Sequence, residues 1–272
     1  MEMRLRYCVN LSMIYTEHPF LERFALAARA GFSAIEYHFP YEFAAKDIKS
    51  RLESLALTQV LFNLHPGNTS AGEWGTLSNP QRRDYFRRCL TEALELAVFF
   101  NCTRLNTMFG NRVLGIERKE QMNCAVENLS WAAPLAAQAG VILLIEPLNR
   151  TDFPDCLLHR TSEALEIIRQ VEHPRVKLQY DVYHAQMMEG NLINTITTSL
   201  PVIEHIQIAD VPGRHQPGTG EINYPAVLGA LERLSYSGCV GLEYRPPNDS
   251  ESSLAWLTIG DRGGRSGGSS CN

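Results

Sequence analysis

No stretch of the 272-residue chain comes near the roughly 18 consecutive apolar residues that a membrane span requires. The opening run MEMRLRYCVNLSMIY also lacks the apolar centre of a signal peptide, so neither a membrane protein nor a secreted one is expected. Cysteine is sparse: Cys8, Cys89, Cys102, Cys124, Cys156, Cys239 and Cys271 are odd in number, and none stands in a C-x-x-C pair. That pattern suggests neither a disulfide framework nor a zinc knuckle, and it points to reduced thiols in a cytoplasmic enzyme or binding protein. Excess positive charge is missing as well. A formal charge of −5 and a pI near 5.9 argue against nucleic acid or an anionic membrane as partner. The basic cluster Arg82, Arg83, Arg87 and Arg88 reads as the solvated face of a helix. A Gly-rich dinucleotide turn is absent from CVNLSMIY, which follows the first apolar run, and this counts against a doubly wound sheet.

What the chain does have is 44% apolar residues and a repeated alternation of short apolar runs with helical periodicity. YCVNL is followed by HPFLERFALAARAG, SAIEYHF by AKDIKSRLESLAL, and TQVLFNL, after a long loop, by QRRDYFRRCLTEALELAVFF. TRLNTM precedes a long helical pattern ending at Gly140. VILLIE precedes TSEALEIIRQV, where Thr161 is the expected N-cap and Glu163 lies in the first turn. VKLQYD, VIEHIQIAD and CVGLEY complete eight strands. Eight β/α units in about 250 residues match an α/β fold of the (β/α)8 TIM-barrel type as a single domain over residues 1–259. Residues 260–272, rich in Gly, Ser and Arg without periodicity, read as a disordered tail.

In such a barrel the C-terminal ends of the strands form the catalytic rim. The polar residues that close the eight apolar runs are Asn10, Glu36, Asn63, Asn106, Glu146, Asp181, Gln207 and Glu243. Asn10, Asn63 and Asn106 are equally well read as caps of the following segments. The last four all carry oxygen and come from consecutive strands, a donor set suited to a hard divalent cation, Mg²⁺ or Mn²⁺ rather than zinc. A cation would also relieve the repulsion of three carboxylates in one pocket. The competing reading is four unrelated strand-end caps.

Several strings carry a resemblance: NLSMIYTEHPFLERFALAARAGFSAIEYHFPYEF, LFNLHPGNTSAGEWG, LLIEPLN, LQYDVYHAQMMEGNL, HIQIADVPGRHQPGTGEINYP and GLEYRPP. Together they resemble the hydroxypyruvate isomerase family, which includes the 2-oxo-tetronate isomerases and belongs to the xylose-isomerase-like barrels. The resemblance runs from about Arg4 to Leu257. It implies an intramolecular oxidoreductase that interconverts an α-hydroxy aldehyde and an α-hydroxy ketone: hydroxypyruvate and tartronate semialdehyde, or a 2-oxo-tetronate, with ketose 3-epimerase-like chemistry as a further alternative. It places the paired catalytic glutamates on Glu146 and Glu243 and the cation ligands on Glu146, Asp181, Gln207 and Glu243. Gln207 stands where the wider superfamily has histidine.

Such a reaction passes a proton between adjacent carbons through an enediol, with a carboxylate as base and a cation as Lewis acid. His184, in YDVYHAQ, is expected to contact a substrate oxygen. Arg214, on a Gly/Pro-rich loop, is expected to clamp the substrate carboxylate. Glu73, beside Trp74 on the long loop after the third strand, is expected as a lid contact, and His65 and Asn68 face the variable end of the substrate. His205 reads as a barrel-interior residue below the cation. A homo-oligomer is compatible with the sequence. An apurinic endonuclease shares this barrel class but is expected to need more histidine and a basic groove, and a barrel that has lost catalysis is countered by the intact strand ends.

Overall fold

The computed structural model describes residues 4–263. Eight short strands close into one parallel barrel in chain order: β1 (Arg6–Asn10), β2 (Ala34–Glu36), β3 (Thr58–Asn63), β4 (Arg104–Asn106), β5 (Ile142–Ile145), β6 (Val176–Asp181), β7 (Ile203–Ile208) and β8 (Cys239–Leu242). Closure joins β1 to β8, with Arg6 opposite Cys239 and Val9 opposite Leu242. Around it run α1 (Phe20–Arg29), α2 (Ala45–Ser54), α3 (Arg83–Phe100), α4 (Arg118–Gln138), α5 (Thr161–Val171), α6 (Val182–Met188), α7 (Leu192–Ser199), α8 (Tyr224–Arg233), α9 (Ser250–Ser253) and α10 (Ile259–Arg262).

The helical period decides which face packs inward. In α3 the buried positions include Phe86, Leu90, Ala93, Ala97 and Phe100, a three-and-four spacing that keeps one stripe against the barrel. In α1, Phe24 is fully buried and lies edge-on to Phe20 at 5.3 Å, so its burial contributes about 2–3 kcal/mol. At α5 the cap differs from the expectation. Arg160 is the N-cap and Thr161 the first helical residue, because Glu163 reaches back to the amides of His159 (3.2 Å) and Arg160 (3.3 Å).

The expected boundary at residue 259 moves outward. Residues 259–262 form the short α10, and the buried Arg262 guanidinium donates to the carbonyls of Ala30 (3.1 Å), Leu254 (2.7 Å) and Leu257 (3.0 Å), closing the barrel floor. The rest of the expected tail, 264–272, lies outside the described residues. The arginine face is partly exposed and makes surface contacts: Arg83 pairs with Glu127 at 2.6 Å, Arg82 lies over Tyr85, and Arg87 over Trp131. Among the described residues no helix is long and apolar enough to cross a membrane, and all six described cysteines are buried.

Candidate active site

The strand ends gather as the alternation required. Asp181 closes β6 and caps α6 through the amide of Tyr183 at 2.8 Å, and the cap leaves its second oxygen facing the rim. Its other oxygen accepts from Arg214 Nη2 at 3.2 Å, and the same nitrogen donates to Glu243 Oε2. Asn10 and Asn106 likewise serve twice. Their oxygens accept from the amides of Ser12 (2.9 Å) and Met108 (2.8 Å), turning the chain out of the strand. Their nitrogens face carboxylates: Asn106 donates to Glu146 at 2.7 Å, and Asn10 donates to both Glu243 and Glu36 at 3.1 Å.

Beneath the rim lies a carboxylate to which sequence reasoning gave no role. Glu36 is fully buried and takes hydrogen bonds from Gln207 Nε2 (2.8 Å) and Asn10, and pairs with His205 Nε2 at 2.7 Å. It lies where a β-carbon on Gly241 would sit 2.6 Å from its Oε1, which accounts for glycine in β8. Gln207 is held by this group: its amide nitrogen faces Glu36 and Glu243, and its oxygen accepts from Gln179 at 2.6 Å. With Glu36 drawing the NH₂ side inward, Gln207 would turn its oxygen toward a cation only by turning over its terminal amide. His38, also missed, approaches Glu243 Oε1 at 2.9 Å. The sequence shows only that His38 follows Glu36, the last residue of β2, by two positions.

His184 is buried, and its Nδ1 faces two donors, the backbone amide (3.2 Å) and side-chain nitrogen (2.7 Å) of Asn149. The proton consequently resides on Nε2, which points at Asp181 Oδ2, 3.5 Å away.

These groups open onto a cavity of about 50 Å³ that Glu146, Glu243, His184, Arg214, Asn106 and His38 line on its polar side and Trp74, Phe109 and Phe153 on its apolar side. Trp74 stacks on Phe153 at 5.7 Å. Three loops form this canopy together, because Gly75 bridges Phe109 and Asn111 bridges Cys156. Glu73 and His65, expected to touch substrate, do not line the cavity. Glu73 accepts from the amide of Asn68 (2.6 Å) and pairs with Arg82 (3.0 Å), and His65 pairs with Tyr85 at 2.8 Å, so both brace the loop that carries Trp74. A larger open cavity of about 860 Å³ lies at the opposite end of the barrel, but its buried guanidinium, Arg104, is already paired with Glu204 at 2.8 Å, and none of the rim carboxylates reaches it.

The electrostatics follow from this packing. Burial pushes Asp181 up to about 7 against the pull of Arg214. Burial and then the charges of Glu243 and Asp181 hold Glu146 well above the carboxylate range, although it keeps partial access to the cavity. For Glu243 burial also opposes ionisation, but the closer contact of Arg214 and the contact of His38 outweigh it and bring the carboxyl down to about 2. Burial and the Arg214 charge keep His184 neutral, well below its ordinary value. Three carboxylates thus share one guanidinium, and atoms of Glu146, Asp181 and His184 lie within 4.8 Å of one another. That oxygen-rich surplus of negative charge fits a divalent cation.

The chain matches the xylose isomerase-like TIM barrel family over residues 24–259. It is 42% identical over 252 residues to a 2-oxo-tetronate isomerase of Cupriavidus necator, covering 93% of this chain and 97% of that protein. It is 40% identical over 253 residues to the hydroxypyruvate isomerase of Escherichia coli, covering 93% and 98%. A crystal structure from Brucella melitensis described as an AP endonuclease of family 2 superposes with a TM-score of 0.91 at 42% identity, covering 94% of this chain and 98% of that one.

Proposed function

Since the chain belongs to the xylose isomerase-like TIM barrel family, we propose that its rim is the active site of an isomerase converting hydroxypyruvate to tartronate semialdehyde, with a 2-oxo-tetronate as the alternative substrate. The observation that carries the reading is the pair Glu146 and Glu243, brought from β5 and β8 to one small cavity that also contains His184 and Arg214.

One carboxylate removes a proton from the hydroxymethyl carbon and the electron pair moves onto the neighbouring carbonyl to give an enediolate, the hydroxyl proton passes from the hydroxymethyl oxygen to the former carbonyl oxygen, and the carbon-bound proton is returned at the adjacent carbon as the aldehyde forms. Glu146 and Glu243 carry these two carbon-directed steps. His184 Nε2–H donates to a substrate oxygen, and Arg214, bordering the cavity, binds the substrate carboxylate. Asn106 and Asn10 fix the two glutamates with amide donors, and His38 adds a further contact on Glu243. Trp74, Phe109 and Phe153 keep water from the enediol and limit the site to short acids.

A divalent cation, Mg²⁺ or Mn²⁺, would be held by Glu146, Asp181 and Glu243, with Gln207 joining only if its terminal amide turns over, and when bound it supplies Lewis-acid stabilisation of negative charge on the substrate oxygens. The endonuclease description of the Brucella structure is the weaker guide, since a cavity of about 50 Å³ lined by two histidines, His38 and His184, and two carboxylates, Glu146 and Glu243, suits a small acid better than a nucleic-acid strand.

The test is incubation of the EDTA-treated protein with hydroxypyruvate and, separately, a 2-oxo-tetronate, with and without Mg²⁺ or Mn²⁺, followed by proton NMR. Cation-dependent formation of the isomeric product is expected. Near wild-type turnover by Glu146→Gln or Glu243→Gln would sink the assignment of the pair.

A further inference from the structure

In the loop DVPGRHQPGTGEIN, residues 210–223, the proton-transfer chemistry accounts for Arg214 and leaves the other residues unexplained. The loop's organising group is Asp210, a fully buried carboxylate at the end of β7. Oδ2 accepts from the amides of Gly218 (2.9 Å), Thr219 (3.1 Å) and Gly220 (2.9 Å), and Oδ1 from those of Val211 (2.9 Å) and Ile222 (3.0 Å). Five backbone donors on one carboxylate fold the segment back on itself. Around this centre the Asp210 amide donates to His215 O at 2.8 Å and Glu221 N to Val211 O at 2.7 Å. Gly220 is demanded by the close approach, because a β-carbon there would strike the Val211 carbonyl and lie 2.7 Å from Asp210 Oδ1.

The turn so formed puts Arg214 at φ 57°, a left-handed conformation that a long side chain avoids unless its surroundings impose it. Its carbonyl is tied to Arg245 N at 2.7 Å, and its guanidinium enters the rim between Asp181 and Glu243.

We propose that Asp210 is a positioning residue: its carboxylate builds the amide nest that holds Arg214 in its left-handed turn and so aims the guanidinium at the reacting centre. The catalytic side of this inference rests on the isomerase reading; the structural side does not. Asn at 210 keeps the size but replaces one acceptor oxygen by an NH₂ that faces amide donors, which opens the nest.

The experiment compares wild type, Asp210→Asn, Arg214→Met, the double variant and Gly220→Ala, which crowds the same nest while leaving the carboxylate in the sequence. Two readouts are taken: kcat/KM with hydroxypyruvate in the presence of Mn²⁺, and trypsin cleavage after Arg214, followed by mass spectrometry at a temperature where circular dichroism shows each variant folded. Asp210→Asn and Gly220→Ala are expected to expose the Arg214–His215 bond, which the buried wild-type side chain protects. Both are expected to lower kcat/KM on the order of 10²-fold, as Arg214→Met does. The double variant should be no worse than Arg214→Met alone, because the two changes remove one interaction. Continued protection of Arg214 in Asp210→Asn and in Gly220→Ala, or fully additive losses in the double variant, overturns the inference. An inactive wild type would refute the isomerase reading alone, with the trypsin arm still deciding the role of Asp210.

Discussion

The most demanding test of the site's electrostatics is a stability measurement on Asp181→Asn without cation. Asp181 is buried at the base of the rim, and burial lifts its carboxyl from 3.8 to about 7. A raised pKa means that the folded state keeps a proton that the unfolded chain has already lost. Stability is therefore expected to fall as pH rises from about 4 through about 7, where the folded group finally ionises. The shift corresponds to a ceiling of about 4 kcal/mol at pH 8, at 1.36 kcal/mol per unit. Asparagine keeps the cap on Tyr183 N and resembles the neutral acid, so it removes that cost. For a chain of this size the variant should melt up to about 10 °C above wild type in EDTA at pH 8, with the difference shrinking toward pH 4. Adding Mn²⁺ should reverse the order, because the cation stabilises only the chain that still has all three carboxylates. Differential scanning calorimetry across pH, in EDTA and in Mn²⁺, makes the comparison. A variant no more stable than wild type in EDTA at pH 8 would refute the claim that Asp181 is an ionisation burden on the fold.

Glu146→Gln and Glu243→Gln are each expected to lower kcat on the order of 10²–10⁴-fold with unchanged circular dichroism, read by product formation from hydroxypyruvate. Asn106→Ala deletes the 2.7 Å donor to Glu146 and should cost about 1.5–3 kcal/mol in kcat/KM, and recovery by Asn106→Ser would assign the loss to the hydrogen bond. Phe24→Ala empties a fully buried site under α1 and should destabilise by about 3–5 kcal/mol in urea titration, with kcat unaffected in the folded protein. In a Cys271→Ser variant, the buried thiols, with burial pushing Cys102 and Cys156 up to about 12, should leave a disulfide reagent unreacted over minutes until denaturant is added.

The barrel was legible because its signal is periodic: short apolar runs at period two and stripes such as Phe86 to Phe100 at period 3.6 survive without tertiary knowledge. The rim was legible for a related reason. A polar residue that stops an apolar run must sit at a strand end, so Glu146, Asp181 and Glu243 could be named before any contact was known. What stayed hidden depends on partners from distant strands. His38 reads as an ordinary strand-end histidine until Glu243, more than two hundred residues later, is placed 2.9 Å away. The orientation of the Gln207 amide is set by Glu36 and Gln179, which no spacing in the sequence links to it. Glu73 and His65 were misdirected by their loop: they lie near the mouth in the chain, but Arg82 and Tyr85 hold their polar atoms away from it. The α5 cap shows the same limit on a small scale, since a glutamate three residues into the helix moved the start by one position.

The bridged canopy has a consequence for how specificity can change. Because Gly75 is joined to Phe109 and Asn111 to Cys156, the loops after β3, β4 and β5 form one interlocked roof over the cavity. A graft of a single loop from a relative would bring one half of a bridge without its counterpart. New substrate preference is expected to travel as a block, from residue 64 to residue 160, while the carboxylates of β6 and β8 and the nest at Asp210 remain as a fixed chemical base beneath whichever roof is installed.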